Sequence, residues 1–145
     1  MQRTWKYRLY PTPSQASELE HQLAVACDLY NAALEQRIWV WRRHRVSITF
    51  REQSKQLTEA RHELPWLIGM NSLAQHGVLR RLDRAFQAFY RRVRAGQAPG
   101  FPRFKSRRAF RSLIWPQYGN GARIVDLGHR HRYDKRLLIR QTTTD

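Results

Sequence analysis

The stretch "LRRLDRAFQAFYRRVRAGQAPGFPRFKSRR", residues 79–108, decides how the chain is read. Its first part is the second half of a helix expected over residues 72–95. At about 100° per residue, Val78, Leu79, Leu82, Phe86, Phe89 and Val93 share one side. Arg80, Arg84, Arg91 and Arg94 lie nearly opposite, flanked by Arg81 and Arg92. Gly96 is the residue type that closes such a helix, because it enters the left-handed region without strain. Beyond it, Pro99, Gly100 and Pro102 hold the backbone out of regular structure, while Phe101 and Phe104 alternate with Arg103, Lys105, Arg107 and Arg108. Two rings so placed either stack on bases or pin the loop to a core. The cations face a polyanion in both arrangements.

The totals agree with that partner. The chain has 145 residues, 27 of them Lys or Arg and 11 Asp or Glu, for a net charge of +16. A domain of this size gains nothing from such self-repulsion, so an anionic partner is implied, nucleic acid before membrane surface. The charge is concentrated: residues 80–111 hold eleven Lys/Arg against one acid, Asp83. One cysteine, Cys27, excludes a disulfide framework and a four-cysteine zinc site. Neither a membrane-length apolar run nor a secretory signal is present, which reads as a cytoplasmic protein.

Outward from the centre, "RTWKYRLYP" alternates as a strand does, with Trp5, Tyr7 and Leu9 on one face and Lys6 and Arg8 on the other. Thr12 followed by Pro13 starts a helix expected over 13–43, with Leu19, Leu23, Ala26, Tyr30, Leu34 and Trp41 as its apolar stripe. Thr49 and Glu52 form a capping-box pair that opens a second helix over 50–62. After Arg108, "AFRSLIWP", "ARIVDL" and "KRLLIR" are short and β-like, separated by turn signals. The expected class is α+β: a three-helix lobe inserted between an N-terminal strand and C-terminal strands of an incomplete β-barrel.

Chemistry-bearing residues are few. His129 and His131 lie two apart, with Asp126 and Asp134 nearby, a conceivable metal pair on a strand. Arg130 and Arg132 raise the local positive potential against a dication, so no metal and no cofactor is expected. Cys27 falls beside Ala26 and Tyr30 on an apolar face and reads as a packed thiol. Two-metal phosphodiester cleavage needs several converging carboxylates. Most acids here lie instead on the first two helices, so no nuclease site is expected on this chain.

The motifs resemble a known family. "KYRLYPTPSQASELEHQLAVACDLYNAALEQR" is similar to the start of TnpB/OrfB proteins of insertion sequences, through its "YPT" turn and the pattern Tyr30, Asn31, Ala33, Leu34. Asp83, Ala85, Phe86, Phe89, Arg91 and Arg92, followed by Pro99, Gly100, Pro102, Phe104, Lys105 and Arg107, resemble that family's next signature. The resemblance covers about residues 4–140. It implies a transposase-associated protein with a helix-turn-helix region, related to RNA-guided DNA endonucleases in which base pairing reads the target. It implies that residues 1–12 and 109–140 belong to a wedge-like β-barrel and residues 13–108 to a helical recognition lobe with a basic loop, with 141–145 a disordered tail. The RuvC-like nuclease domain and zinc ribbon of full-length members are missing from this chain. A truncated copy without catalysis of its own is therefore expected, with guide-type RNA and DNA as partners. Phosphate contacts are expected from Arg80, Arg84, Arg91, Arg92 and Arg94, and contacts to RNA or the hybrid from Arg103, Lys105, Arg107 and Arg108. Lys6 and Arg8 would add to the wedge surface, and Gln75 and His76 are candidate base-edge contacts. The rival readings are a small metal-dependent nuclease and a nonspecific basic RNA-binding protein.

Overall fold

Helix α1 (Pro13–His44) is the longest element described; α4 (Ser72–Arg94) packs against it, and α2 (Phe50–Glu63) packs against α4 and hydrogen-bonds to α1, with the single turn α3 (Pro65–Ile68) between α2 and α4. The computed structural model describes residues 1–126 and 135–139. Each main helix starts where a cap permits. Thr12 and Gln15 form a capping box with Pro13 in the first turn, and Thr49 and Glu52 form a second. In both, the side-chain oxygen accepts from a backbone N–H that has no partner inside the helix. Asn71 caps α4 by accepting from the Ala74 N–H at 3.1 Å. At the far end Gly96 (φ 68°) closes α4, with the Gly96 N–H donating to Val93 O and the Gln97 N–H to Arg92 O. That is the double bond of a Schellman turn.

The core joins Val25, Ala26, Leu29, Tyr30 and Leu34 of α1 to Leu57 of α2 and to Val78, Leu79, Leu82 and Phe86 of α4. Removing these side chains from water supplies the main drive for folding. The apolar stripes run beyond it, however. Trp41 and Val93, on the expected apolar stripes, are about half exposed.

Inside the bundle sits a charge. Arg37 of α1 is only 6% exposed. Its Nε donates to Gln53 Oε1 of α2 at 2.7 Å, its Nη2 meets Asp83 Oδ1 of α4 at 3.1 Å, and its guanidinium lies 4.8 Å from the Phe86 ring centroid. Gln53 in turn donates to Ala33 O and Gln36 Oε1, both at 2.9 Å. One guanidinium thus ties three helices.

The expected incomplete β-barrel is corrected. Among the described residues the β structure is one antiparallel ribbon, β1 (Ala122–Asp126) with β2 (Lys135–Ile139), and there is no barrel. Residues 1–12 form no strand; Trp5, Tyr7, Leu9 and Tyr10 are all exposed. Alternation makes a strand only where a second backbone supplies the ladder, and β1 and β2 pair with each other. Their cross-strand pair Ile124–Leu137 is itself exposed. The ribbon abuts the bundle at Gly121 (φ 86°), where a Cβ would come within 2.6 Å of Asn71 Cγ, so only glycine fits. The expected tail at 141–145 lies outside the described residues.

Truncating Arg37 would leave Asp83 without its cation inside the bundle. Arg37→Ala is expected to lower stability by about 3 kcal/mol in urea denaturation, and Arg37→Met with Asp83→Leu to recover much of that loss. An unchanged midpoint for Arg37→Ala would remove the guanidinium from the fold's essential contacts.

Candidate nucleic-acid interface

The two cationic elements of the sequence are brought together by a side-chain clamp. Asn31 on α1 acts on the backbone of the basic loop as a strand partner would. Its Oδ1 accepts from the Lys105 N–H at 2.8 Å and its Nδ2 donates to Lys105 O at 2.8 Å. The Cys27 thiol donates to the same carbonyl, with Sγ 3.3 Å away. Burial pushes the Cys27 thiol up, Asp28 pushes it further, and Arg107 opposes both. The thiol therefore stays protonated at neutral pH, a donor and no nucleophile.

On either side of the clamp the loop is pinned by rings. Phe101 meets Phe86 and Phe89 edge-on, at centroid distances of 5.6 and 5.2 Å. Phe110 is buried against Tyr30 at 5.9 Å, and the Arg81 guanidinium covers it at 4.6 Å while donating to Ser112 Oγ at 3.0 Å. The choice between stacking and pinning thus divides. Phe110 and Phe101 pin, although Phe101 keeps 47% of its surface exposed, and Phe104 is 56% exposed. Between this loop and α1 lies a groove of about 680 Å³, bordered by Trp41, Arg42, Phe89, Arg103 and Phe104.

The expected contact residues sort clearly. Arg80, Arg84, Arg91, Arg92 and Arg94 are all exposed along α4. Arg80 lies over the Phe50 ring at 4.6 Å, which leaves its charge at the surface. Arg103, Lys105, Arg107 and Arg108 are exposed on the loop. Arg107 meets Asp28 at 3.1 Å, but both side chains are well exposed, so the pair contributes little. Among the described residues the ion pairs are this one and Arg37–Asp83, so the α4 arginines have no carboxylate partner there. Lys6 and Arg8 lie on the irregular N-terminal segment, whose residues 1–11, ahead of the Thr12 cap, make no hydrogen bond to the bundle among the described residues.

Gln75 as a base-edge contact is corrected. It is wholly buried, donates to Leu67 O at 2.7 Å and accepts from Arg61, holding the turn between α3 and α4. Its neighbour His76 is part-exposed and hydrogen-bonded to Ser54 Oγ at 2.7 Å. Burial, then the Arg61 charge, pull the His76 pKa below its ordinary 6.5. Among the described residues no three His, Cys, Asp or Glu side chains converge on a metal position. His129, His131 and Asp134 lie outside those residues.

In the sequence Asn31 counted only as part of the family-like pattern with Tyr30, Ala33 and Leu34, and it was given no structural task. The signal available was an amide side chain on a helix otherwise committed to packing, which is suited to pairing a backbone.

Residues 1–45 match the helix-turn-helix domain of OrfB/IS605 type; in this chain that span holds the N-terminal segment and α1. A protein of Streptomyces pristinaespiralis named "Putative RNA-guided DNA endonuclease" is 33% identical over 114 residues, 77% of this chain. The chain spans 27% of that relative's length. The "YPT" turn and the Tyr30, Asn31, Ala33, Leu34 pattern both lie within the span that is similar to the OrfB/IS605 helix-turn-helix domain. Among the described residues no helix is long and apolar enough to cross a membrane.

Two outcomes are expected. Asn31→Ala should release the loop, raising amide hydrogen exchange across residues 101–108 by roughly tenfold, for about 1–3 kcal/mol of lost pairing. Exchange unchanged there would mean the rings alone hold it. For His76, a depressed folded-state pKa means that the unfolded chain takes up the proton first as pH falls. Stability is therefore full above the ordinary histidine range and is lost as pH drops through it, until the folded-state pKa is passed. His76→Gln should flatten the loss of urea stability between neutral pH and pH about 5.

Proposed function

We propose, on the premise of an OrfB/IS605-type N-terminal region, that the chain is a nucleic-acid-binding unit that holds guide-type RNA and the DNA paired with it. In this reading residues 13–108 are the recognition lobe, and no catalytic step belongs to the chain itself. The observation that carries the proposal is the pairing pattern of the charges. Asp83, the lone acid of residues 80–111, is turned inward to Arg37, while Arg80, Arg84, Arg91 and Arg94 face outward with no carboxylate partner among the described residues. A helix face kept cationic in this way lowers its own energy when phosphates replace the missing counter-charges.

Roles follow from placement. Arg80, Arg84, Arg91, Arg92 and Arg94 neutralise phosphates along α4. Arg103, Lys105 and Arg108 extend the same field across the loop that Asn31 fixes, with Arg107 available once it leaves Asp28. Lys6 and Arg8 contribute only when the N-terminal segment is itself held. Such contacts position a backbone and carry no sequence information, which suits a protein whose target is read by base pairing.

The test is charge reversal. Arg80→Glu, Arg84→Glu and Arg91→Glu together should abolish retention of RNA in a filter-binding assay, with far-UV circular dichroism unchanged. Full retention by a normally helical triple variant would refute the assignment of α4.

A further inference from the structure

We propose that the groove between the C-terminal part of α1, α4 and the basic loop is a binding site for one unpaired nucleobase. This deepens the nucleic-acid reading above and rests on it. The groove encloses about 680 Å³, and Phe86 and Phe89 of α4 lie along it. Two further rings border it with much of their surface free: Trp41 is 49% exposed and Phe104 56%. Arg42 and Arg103 stand at the same border, and among the described residues no Asp or Glu lines it.

The chemistry of that lining selects its occupant. Large aromatic surface left in water is a cost unless a partner covers it. Planar rings next to cations, with acids absent, fit a group that is flat and apolar on its faces and negatively charged at its edge. A nucleotide is such a group, its base stacking on the rings and its phosphate meeting a guanidinium. The loop joins the groove to the wider cationic surface, since Arg103 precedes Phe104, Lys105 and Arg108 follow it, and Arg92 of α4 reaches the loop at Gly100. A strand crossing that surface would therefore pass the groove's mouth. Base pairs inside a duplex do not expose their faces, so the occupant is an unpaired nucleotide.

Trp41 falls on the expected apolar stripe of α1, and Phe104 is one of the two rings expected either to stack on bases or to pin the loop. Neither is buried, and the clamp at Lys105 O fixes the loop next to Phe104. The ring is held in place by backbone hydrogen bonds one residue away and left open.

Two labelled single strands of equal length and phosphate number separate the possibilities by fluorescence anisotropy: oligodeoxyadenylate, and its fully abasic counterpart. The full chain is expected to bind the base-bearing strand roughly tenfold more tightly. Phe104→Leu with Trp41→Leu should erase that preference while the abasic strand binds as before. Phe104→Leu alone, at an exposed position, serves if the double variant does not fold, and should reduce the preference. Equal wild-type affinity for both strands would overturn the base site and leave phosphate binding standing. Failure to bind either strand at low salt would overturn the functional reading itself. Self-association abolished by the double variant, with base preference intact, would assign the groove to a second copy and overturn the proposal.

Discussion

A guanidinium enclosed in a helical bundle must have its donors met, and Arg37 imposes that condition on three helices at once. Gln53 of α2 and Asp83 of α4 answer it, and Phe86 covers its face. The cost of burying the charge is offset by these partners acting together. The same contact shapes the outer surface. Asp83 is the one acid within residues 80–111, and it is turned inward. What stabilises the bundle thereby leaves the outer face of α4 without local counter-charge.

The loop obeys a parallel constraint. Its cations repel one another, so it would not lie in one place on charge alone. Asn31 and Cys27 fix its backbone at Lys105, and Phe101 and Phe110 fix it on either side. Fixation by backbone bonds leaves the side chains of Arg103, Lys105 and Arg108 free to meet a partner. Arg81 departs from its neighbours on α4, since it covers Phe110 and reaches Ser112. It belongs to the loop's support.

Helices were legible because their signals are local. Capping boxes at Thr12 and Thr49, Gly96 beyond the end of α4, and 3.6-residue periodicity all act within a few positions. The expected incomplete β-barrel failed among the described residues, because alternation at residues 3–9 states a preference while a ladder needs a second backbone. The site was legible as charge and illegible as contact. Exposed arginines on α4 follow from the helical wheel. The inward turn of Gln75, the clamp of Asn31 and the pairing of Arg107 with Asp28 depend on residues 8 to 79 positions away. Short polar side chains such as Gln75 read alike in sequence whether they face a base or a buried carbonyl.

Under the proposed function, the arrangement serves a unit that grips a phosphate backbone while base pairing reads the sequence. Arginines along one helix supply the field, a clamped loop extends it, and a ring-lined groove borders both. Central to this account is that binding is electrostatic and spread over several phosphates. The most direct measurement is the affinity of the full chain for a single-stranded RNA across a salt series. Five or more neutralised phosphates give a slope of log affinity against log salt of roughly −3 or steeper. A slope near zero would contradict the account, because the cations of α4 and the loop would then not be what holds the nucleic acid.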